Sequence, residues 1–253
     1  MATGAPCLFL SPHLDDAILS CGALIKALAD RCEVTVATIF TAAGAEPHTR
    51  AARSFMRQCS ARDASSLFAA RRTEDQEVLA GIGADHLHLG VPDALYRRRD
   101  STSSVARSLG NLLPELVHRY PTYRFDIARG RVARGDRSLA ARIVPQISEL
   151  LAHTDAKTVF CPMGVGRHVD HIITRTIGEY YPDHAVYYSD FPYNQFLAPD
   201  HAFISRNKLV PWNWQQGINE KHNLIRGYRT QADALFPDGR IPVIPEVYYV
   251  AAP

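Results

Sequence analysis

Ser11-Pro12-His13-Leu14-Asp15-Asp16 places one imidazole and two adjacent carboxylates directly after a short apolar run. A second polar group, Gly166-Arg167-His168-Val169-Asp170-His171, follows another apolar run about 150 residues later. Each cluster alone is a weak signal. Together they offer what a catalytic zinc site needs: three nitrogen or oxygen ligands, an open coordination position, a spare carboxylate and a spare imidazole. The chemistry this points to is metal-dependent hydrolysis. His13 and Asp16 are three apart, which suits two ligands on one turn at a helix start, and His168 and His171 share that spacing. If His171 is the third ligand, His168 is left free for chemistry. Asp15 and Asp16 cannot both point the same way, so one can hold a metal while its neighbour faces a substrate. A Pro-His-x-Asp-Asp run can also do no more than cap a helix, because aspartate favours helix N-termini. The presence of both clusters after strands favours the metal.

These groups meet only if the elements between them cooperate. Cys7–Leu10 reads as a buried strand, 16–29 as a helix, and 33–40 as a strand rich in β-branched residues. Residues 49–79 read as two helical pieces and 86–89 as a third strand. Helices are expected over 105–118 and 139–151, a strand over 158–162, a helix over 169–181 and a strand over 185–188. A late helix over 219–234 and a last strand over 247–250 complete the pattern. Alternating strands and helices predict an α/β, Rossmann-like fold with a mostly parallel sheet. Ligands of such sheets bind beyond the carboxyl ends of the strands. His13, Asp93 and the His168/His171 pair follow the first, third and fourth strands, so one sheet edge should gather them.

The 253 residues suit a single α/β domain spanning 1–253. A net charge of +2 implies no nucleic-acid or membrane-surface partner. From Arg97 to Arg142 there are eleven arginines against four acids. This segment, near 97–142, is expected to be an insertion, either a solvated one or a lid or anion-binding rim. Five cysteines, an odd number without a C-x-x-C pair, argue against a disulfide framework or thiolate metal site and for a cytoplasmic setting. No signal peptide or membrane-spanning run is expected. Gly164-Val165-Gly166 hints at a dinucleotide-binding loop, but its third glycine would fall at Val169. No Gly-x-Ser-x-Gly elbow of a serine hydrolase occurs.

His13-Leu14-Asp15-Asp16-Ala17 and His168-Val169-Asp170-His171 resemble the two motifs of the PIG-L/LmbE-like zinc-dependent de-N-acetylases. Supporting similarity runs through Arg71-Arg72-Thr73-Glu74, Leu89-Gly90-Val91-Pro92-Asp93 and Lys221…Tyr228-Arg229-Thr230-Gln231. The resemblance implies Zn2+, or another divalent metal, held by His13, Asp16 and His171. It implies Asp15 as general base, His168 stabilising the oxyanion, and Asp170 orienting the His168 ring. Arg72 and Asp93 are expected to grip a sugar. The implied substrate is a small N-acetylated sugar or glycoside. A thiol-glycoside or other acyl amide cleaved on the same site, or a non-catalytic metal- or ligand-binding Rossmann-like protein, are the alternatives. Leu14 and Ala17 replace the usual proline and glutamate, and the loss at Ala17 is expected to alter the substrate wall or the surroundings of the metal.

Overall fold

The computed structural model describes residues 4–99 and 112–252. Its strands are β1 (Cys7–Ser11), β2 (Val34–Thr38), β3 (Asp85–His88), β4 (Thr158–Pro162), β5 (Ala185–Tyr188), β6 (Leu209–Trp214) and β7 (Glu246–Ala251). They form one sheet in the order β3-β2-β1-β4-β5-β7-β6. The first five run parallel, β7 is antiparallel to β5, and β6 is antiparallel to β7.

Helices cover both faces: α1 (Asp16–Ala29), α2 (Arg50–Gln58), α3 (Ala64–Gly81), α4 (Pro114–Val117), α5 (Leu139–Thr154), α6 (Val169–Gly178), α7 (His201–Arg206), α8 (Ile218–Arg226) and α9 (Arg229–Leu235). The central strands read as unbroken apolar runs because they are buried on both faces. Period-two alternation still sorts their side chains. Phe9 joins the core beneath α1, whereas Leu8 and Leu10 join the core beneath α5 and α6. Phe9 of β1 stacks on its register partner Phe160 of β4, with ring centroids 4.1 Å apart. That contact locks together the two strands whose carboxyl ends carry the polar clusters.

The expected α/β class and parallel sheet agree with this architecture. Four elements differ from the sequence reading. The late helix is two helices, broken at Gly227, where a Cβ would come within 2.3 Å of Val78 on α3. Glycine there lets the chain approach α3 closely. Helix α7 and strand β6 were not anticipated; Pro211 interrupts the β6 pattern, and it is tolerated because β6 is an edge strand. Of the helix expected over 105–118, residues 105–111 lie outside the described residues, and within the remainder Pro114–Val117 form the single turn α4. Among the described residues, no helix is long and apolar enough to cross a membrane.

Candidate metal centre and active-site cavity

The sheet order makes β1 and β4 neighbours, with their crossovers departing to opposite sides. A crevice therefore opens beyond their carboxyl ends. The chain leaving β1 carries His13, Asp15 and Asp16, and the loop leaving β4 carries His168 and His171 into the start of α6. The Ser11 hydroxyl pins the first turn, donating to the His13 carbonyl at 2.7 Å and accepting from the Ala17 N–H at 3.0 Å. The second loop needs Gly166 in a left-handed conformation (φ +87°), and a Cβ there would meet the Tyr193 ring at 2.8 Å.

Asp16 sits at the centre. Its Oδ2 lies 2.9 Å from His13 Nδ1 and 3.2 Å from His171 Nε2. Ligand atoms about 2.0–2.2 Å from a tetrahedral zinc stand roughly 3.3–3.6 Å apart, so this spacing is close to that of a metal's ligand set. Each imidazole backs onto a buried carboxylate through its other nitrogen. His171 Nδ1 donates to Asp190 Oδ1 at 2.6 Å, and His13 Nε2 lies 3.2 Å from Asp170 Oδ2. Such backing fixes the ring orientation and leaves the facing nitrogen's lone pair free for a metal. The ring nitrogens of His13, His168 and His171 also lie within 4.8 Å of one another.

The charges support the same fit. Burial works against protonation of His13, but hydrogen bonds to Asp16 and Asp170 outweigh it and push its pKa up to about 9. Burial is likewise outweighed at His171, whose pKa Asp16 and Asp190 hold well above the usual histidine range. Asp16, although buried, is held well below the ordinary carboxylate value by those two rings. Both rings thus favour their protonated forms beside Asp16 when no cation is bound, and a divalent cation can displace those protons.

His168 differs from its neighbours. Its Nδ1 accepts the Asp170 N–H at 3.3 Å, capping α6. Burial, then the positive His13 ring, lower its pKa well below the ordinary value. It is a neutral imidazole whose Nε2–H is available to the cavity.

Asp15 occupies the N-cap position of α1, yet its side chain makes no capping hydrogen bond. The simple capping role therefore does not describe it. Its carboxylate lines the cavity, with Oδ1 3.8 Å from the Arg71 guanidinium. Burial and the adjacent Asp16 push its pKa up to about 7, against the pull of Arg71 and His13.

Asp170 does not meet the His168 ring as expected. Its side chain is taken by His13, by the Ala94 N–H at 2.9 Å and by Arg97, and only its backbone N–H meets His168. Arg97 is buried between Asp170 and Asp136, with its Cζ 4.8 Å from the centre of the Phe40 ring. Asp136 also accepts from Arg119 and from the Tyr120 hydroxyl. At least this part of the arginine-rich segment is a clamp behind His13. Asp136→Ala removes one carboxylate from a buried ionic cluster, and about 3 kcal/mol of stability should be lost, read as a lowered midpoint in urea unfolding.

Asp93 reaches the cavity as expected, 3.6 Å from His13 Nε2. Arg72 does not. It turns to the Thr41 carbonyl at 2.9 Å and lines a separate hollow with Glu46 and His48. Its neighbour Arg71 faces the site instead, almost fully buried, with Nε lacking a hydrogen-bond partner. Asp190, just past β5, was also missed. Its place beyond a strand's carboxyl end, matching that of His13 and His168, was the available signal. Asp190→Asn should weaken metal affinity by about 10–100-fold, measured by competition with a chromogenic chelator.

The remaining motifs support the site. Gln231 on α9 donates to the Leu14 carbonyl at 3.1 Å, and Glu74 on α3 accepts from the Thr230 N–H and hydroxyl. Leu14 and Ala17 are both buried in apolar clusters, so neither departure forms cavity wall.

The family model described as PIG-L, GlcNAc-PI de-N-acetylase, matches residues 8–181. The chain belongs to the PIG-L family. It is 28% identical to a 2'-N-acetylparomamine deacetylase of Streptomyces fradiae over 193 residues, 74% of this chain. It spans 57% of that relative's length. A deacetylase–teicoplanin complex shares the fold, with a TM-score of 0.73, 21% identity, and 98% of this chain and 99% of that one covered. The zinc-inhibited form of a teicoplanin deacetylase is similar at a TM-score of 0.71 and 19% identity, covering 96% of this chain and 97% of that one.

Proposed function

We propose that this protein hydrolyses the N-acetyl group of an acetylated amino-sugar glycoside, using a divalent metal, zinc, held by His13, Asp16 and His171. The observation that carries this reading is Asp16 Oδ2 lying between two imidazole nitrogens, each ring backed by a buried carboxylate. Family membership and the activity of the Streptomyces relative, a 2'-N-acetylparomamine deacetylase, support it. When bound, the ion supplies positive charge that polarises an amide carbonyl and makes water a better acid.

The chain's own residues then divide the work. Asp15 takes the proton of the attacking water, a task suited to a carboxylate whose pKa lies near neutrality. The same proton returns to the leaving nitrogen as the carbon–nitrogen bond breaks. His168 donates from Nε2 to the oxygen that becomes negative, in a buried site where such a bond counts most. Arg71 and Asp93 flank the cavity base, where sugar hydroxyls can bond to them. Asp170 and Asp190 hold the two imidazoles and touch no substrate. The products are acetate and a free amine. Five unpaired cysteines support a reducing, cytoplasmic setting.

The test is to load purified protein separately with zinc, manganese and cobalt and incubate it with N-acetylated sugars and glycosides. Acetate release is assayed enzymatically and products are weighed by mass spectrometry. Loss of one acetyl group is expected. Release of a larger acyl group, or none from any compound, would overturn the reading.

A further inference from the structure

Glu246, at the start of β7, puts its carboxylate against the interior of helix α1. Its Oε1 accepts the Ala23 N–H at 2.9 Å and its Oε2 the Leu24 N–H at 3.0 Å. Both donors lie well inside a 14-residue helix, where an N–H ordinarily bonds to the carbonyl four residues back. For Leu24 that carbonyl belongs to Ser20. Lys221 Nζ of α8 lies 3.5 Å from it and 3.3 Å from Glu246 Oε1. The Tyr248 hydroxyl donates to Glu246 Oε2 at 2.8 Å. A carboxylate and an ammonium group thus serve donors and an acceptor that belong to the helix's own ladder.

The pair is buried, with the Glu246 side chain 0% and the Lys221 side chain 7% exposed. A buried ion pair is a poor source of net stability, because taking both charges out of water offsets most of their attraction. Apolar residues of similar volume would join α1, α8 and β7 as well. They would not supply two acceptors and a cation at fixed places in one turn of a helix.

That turn reaches the metal centre. The Ser20 hydroxyl accepts the Phe191 N–H at 3.1 Å. On the other side of Asp190, the Ser189 N–H donates at 2.8 Å to the carbonyl of Val247, the residue after Glu246. The backbone is therefore gripped on both sides of Asp190, once by α1 and once by β7, and Glu246 ties those two elements together. Lys221 Nζ also stands 4.9 Å from the centre of the Phe191 ring. Asp190, held in this way, meets His171 Nδ1 at 2.6 Å.

We propose that Lys221 and Glu246 are positioning residues for the metal centre: they set the Ser20 turn of α1 and the start of β7 so that the loop 189–191 aims Asp190 at His171. Neither lines the cavity, and both lie beyond residues 8–181, over which the family model matches. The proposal rests on the reading of His13, Asp16 and His171 as ligands.

Zinc affinity, measured by competition with a chromogenic chelator, tests this on variants whose folding is checked by circular dichroism and urea unfolding. Glu246→Gln and Lys221→Met should each weaken zinc binding about tenfold, the lower end of the effect of groups that orient metal ligands. Ser20→Ala leaves the ion pair whole and removes one hydrogen bond to the loop, which should weaken binding about fivefold. Val34→Ala, in the same apolar core, opens a cavity; it should lower the urea midpoint and leave the affinity alone. In an Asp190→Asn background the loop has no carboxylate left to aim. Adding Glu246→Gln or Ser20→Ala there should change the affinity by less than about twofold, the usual scatter of such comparisons.

Wild-type affinity in folded Ser20→Ala and Glu246→Gln proteins would overturn the proposal. So would the full loss reappearing in the Asp190→Asn background, or an equal loss in Val34→Ala. If either ion-pair variant does not fold, Ser20→Ala alone and combined with Asp190→Asn decides the matter. A wild-type protein that takes up no zinc would overturn the ligand reading and this proposal with it. Tight zinc binding by the wild type and every variant would overturn this proposal only.

Discussion

Asp15→Asn should lower kcat by about 10²–10⁴, the usual contribution of a general base, while metal content stays at the wild-type level. Asp15 makes no capping bond to α1, so helix initiation does not depend on it. It is also outside the group of side chains that faces Asp16 Oδ2. The pH dependence has a definite sign. Asp15 must be ionised to accept a proton, and burial with Asp16 pushes its pKa up to about 7 in the metal-free protein. The wild-type rate should therefore rise with pH, and a bound cation moves the midpoint below 7 because its charge favours the carboxylate. The asparagine variant should lose that acidic limb. Elemental analysis, acetate release and a pH profile on the same preparations check all three statements. Zinc lost from the variant in step with its activity would sink the assignment of Asp15 as base.

His171→Ala should behave differently, losing the metal and with it all measurable turnover. The ring connects Asp16 to Asp190, at 3.2 and 2.6 Å, and among the described residues no other side chain makes that bridge. Thermal melting reads the loss without reference to activity. A metal at 100 times its dissociation constant stabilises the folded state by about 2.7 kcal/mol. Wild-type protein stripped by a chelator should melt several degrees higher when zinc is restored, and His171→Ala should not respond. Asp15→Asn should respond as the wild type does. An undiminished zinc shift in His171→Ala would remove that residue from the ligand set.

Much of this arrangement was legible in the chain. The helix 16–29 and the strands 158–162 and 185–188 are where apolar pattern and turn residues place them. The polar clusters stand out because they follow unbroken apolar runs, and the parallel order then brings them together. What was illegible depends on direction or distance. One step along a helix turns a side chain by about 100°, so an Arg71-Arg72 pair does not announce which member faces the cavity. The buried face of α3 carries Arg71, Glu74 and Asp75 beside Leu67, Phe68 and Leu79, which blurs its apolar stripe. Asp170 lies two residues from His168 and serves His13 instead, because Arg97 and the Ala94 N–H, 73 and 76 positions away, hold its carboxylate. Asp190 stands alone after β5, and only the fold gives it a histidine.

Gln231 holding the Leu14 carbonyl, with Asp190 behind His171, bears on the order in which the protein matures. His13 and Asp16 leave the ribosome ahead of His171 and its supports. The carboxylate that aims His171 follows some 170 residues later, and the amide that steadies the first loop about 40 residues after that. A nascent chain halted between His171 and Asp190 would carry all three metal-binding side chains without the carboxylate that aims His171 or the amide that steadies the first loop. Capture of the ion in its final geometry therefore follows the synthesis of α9.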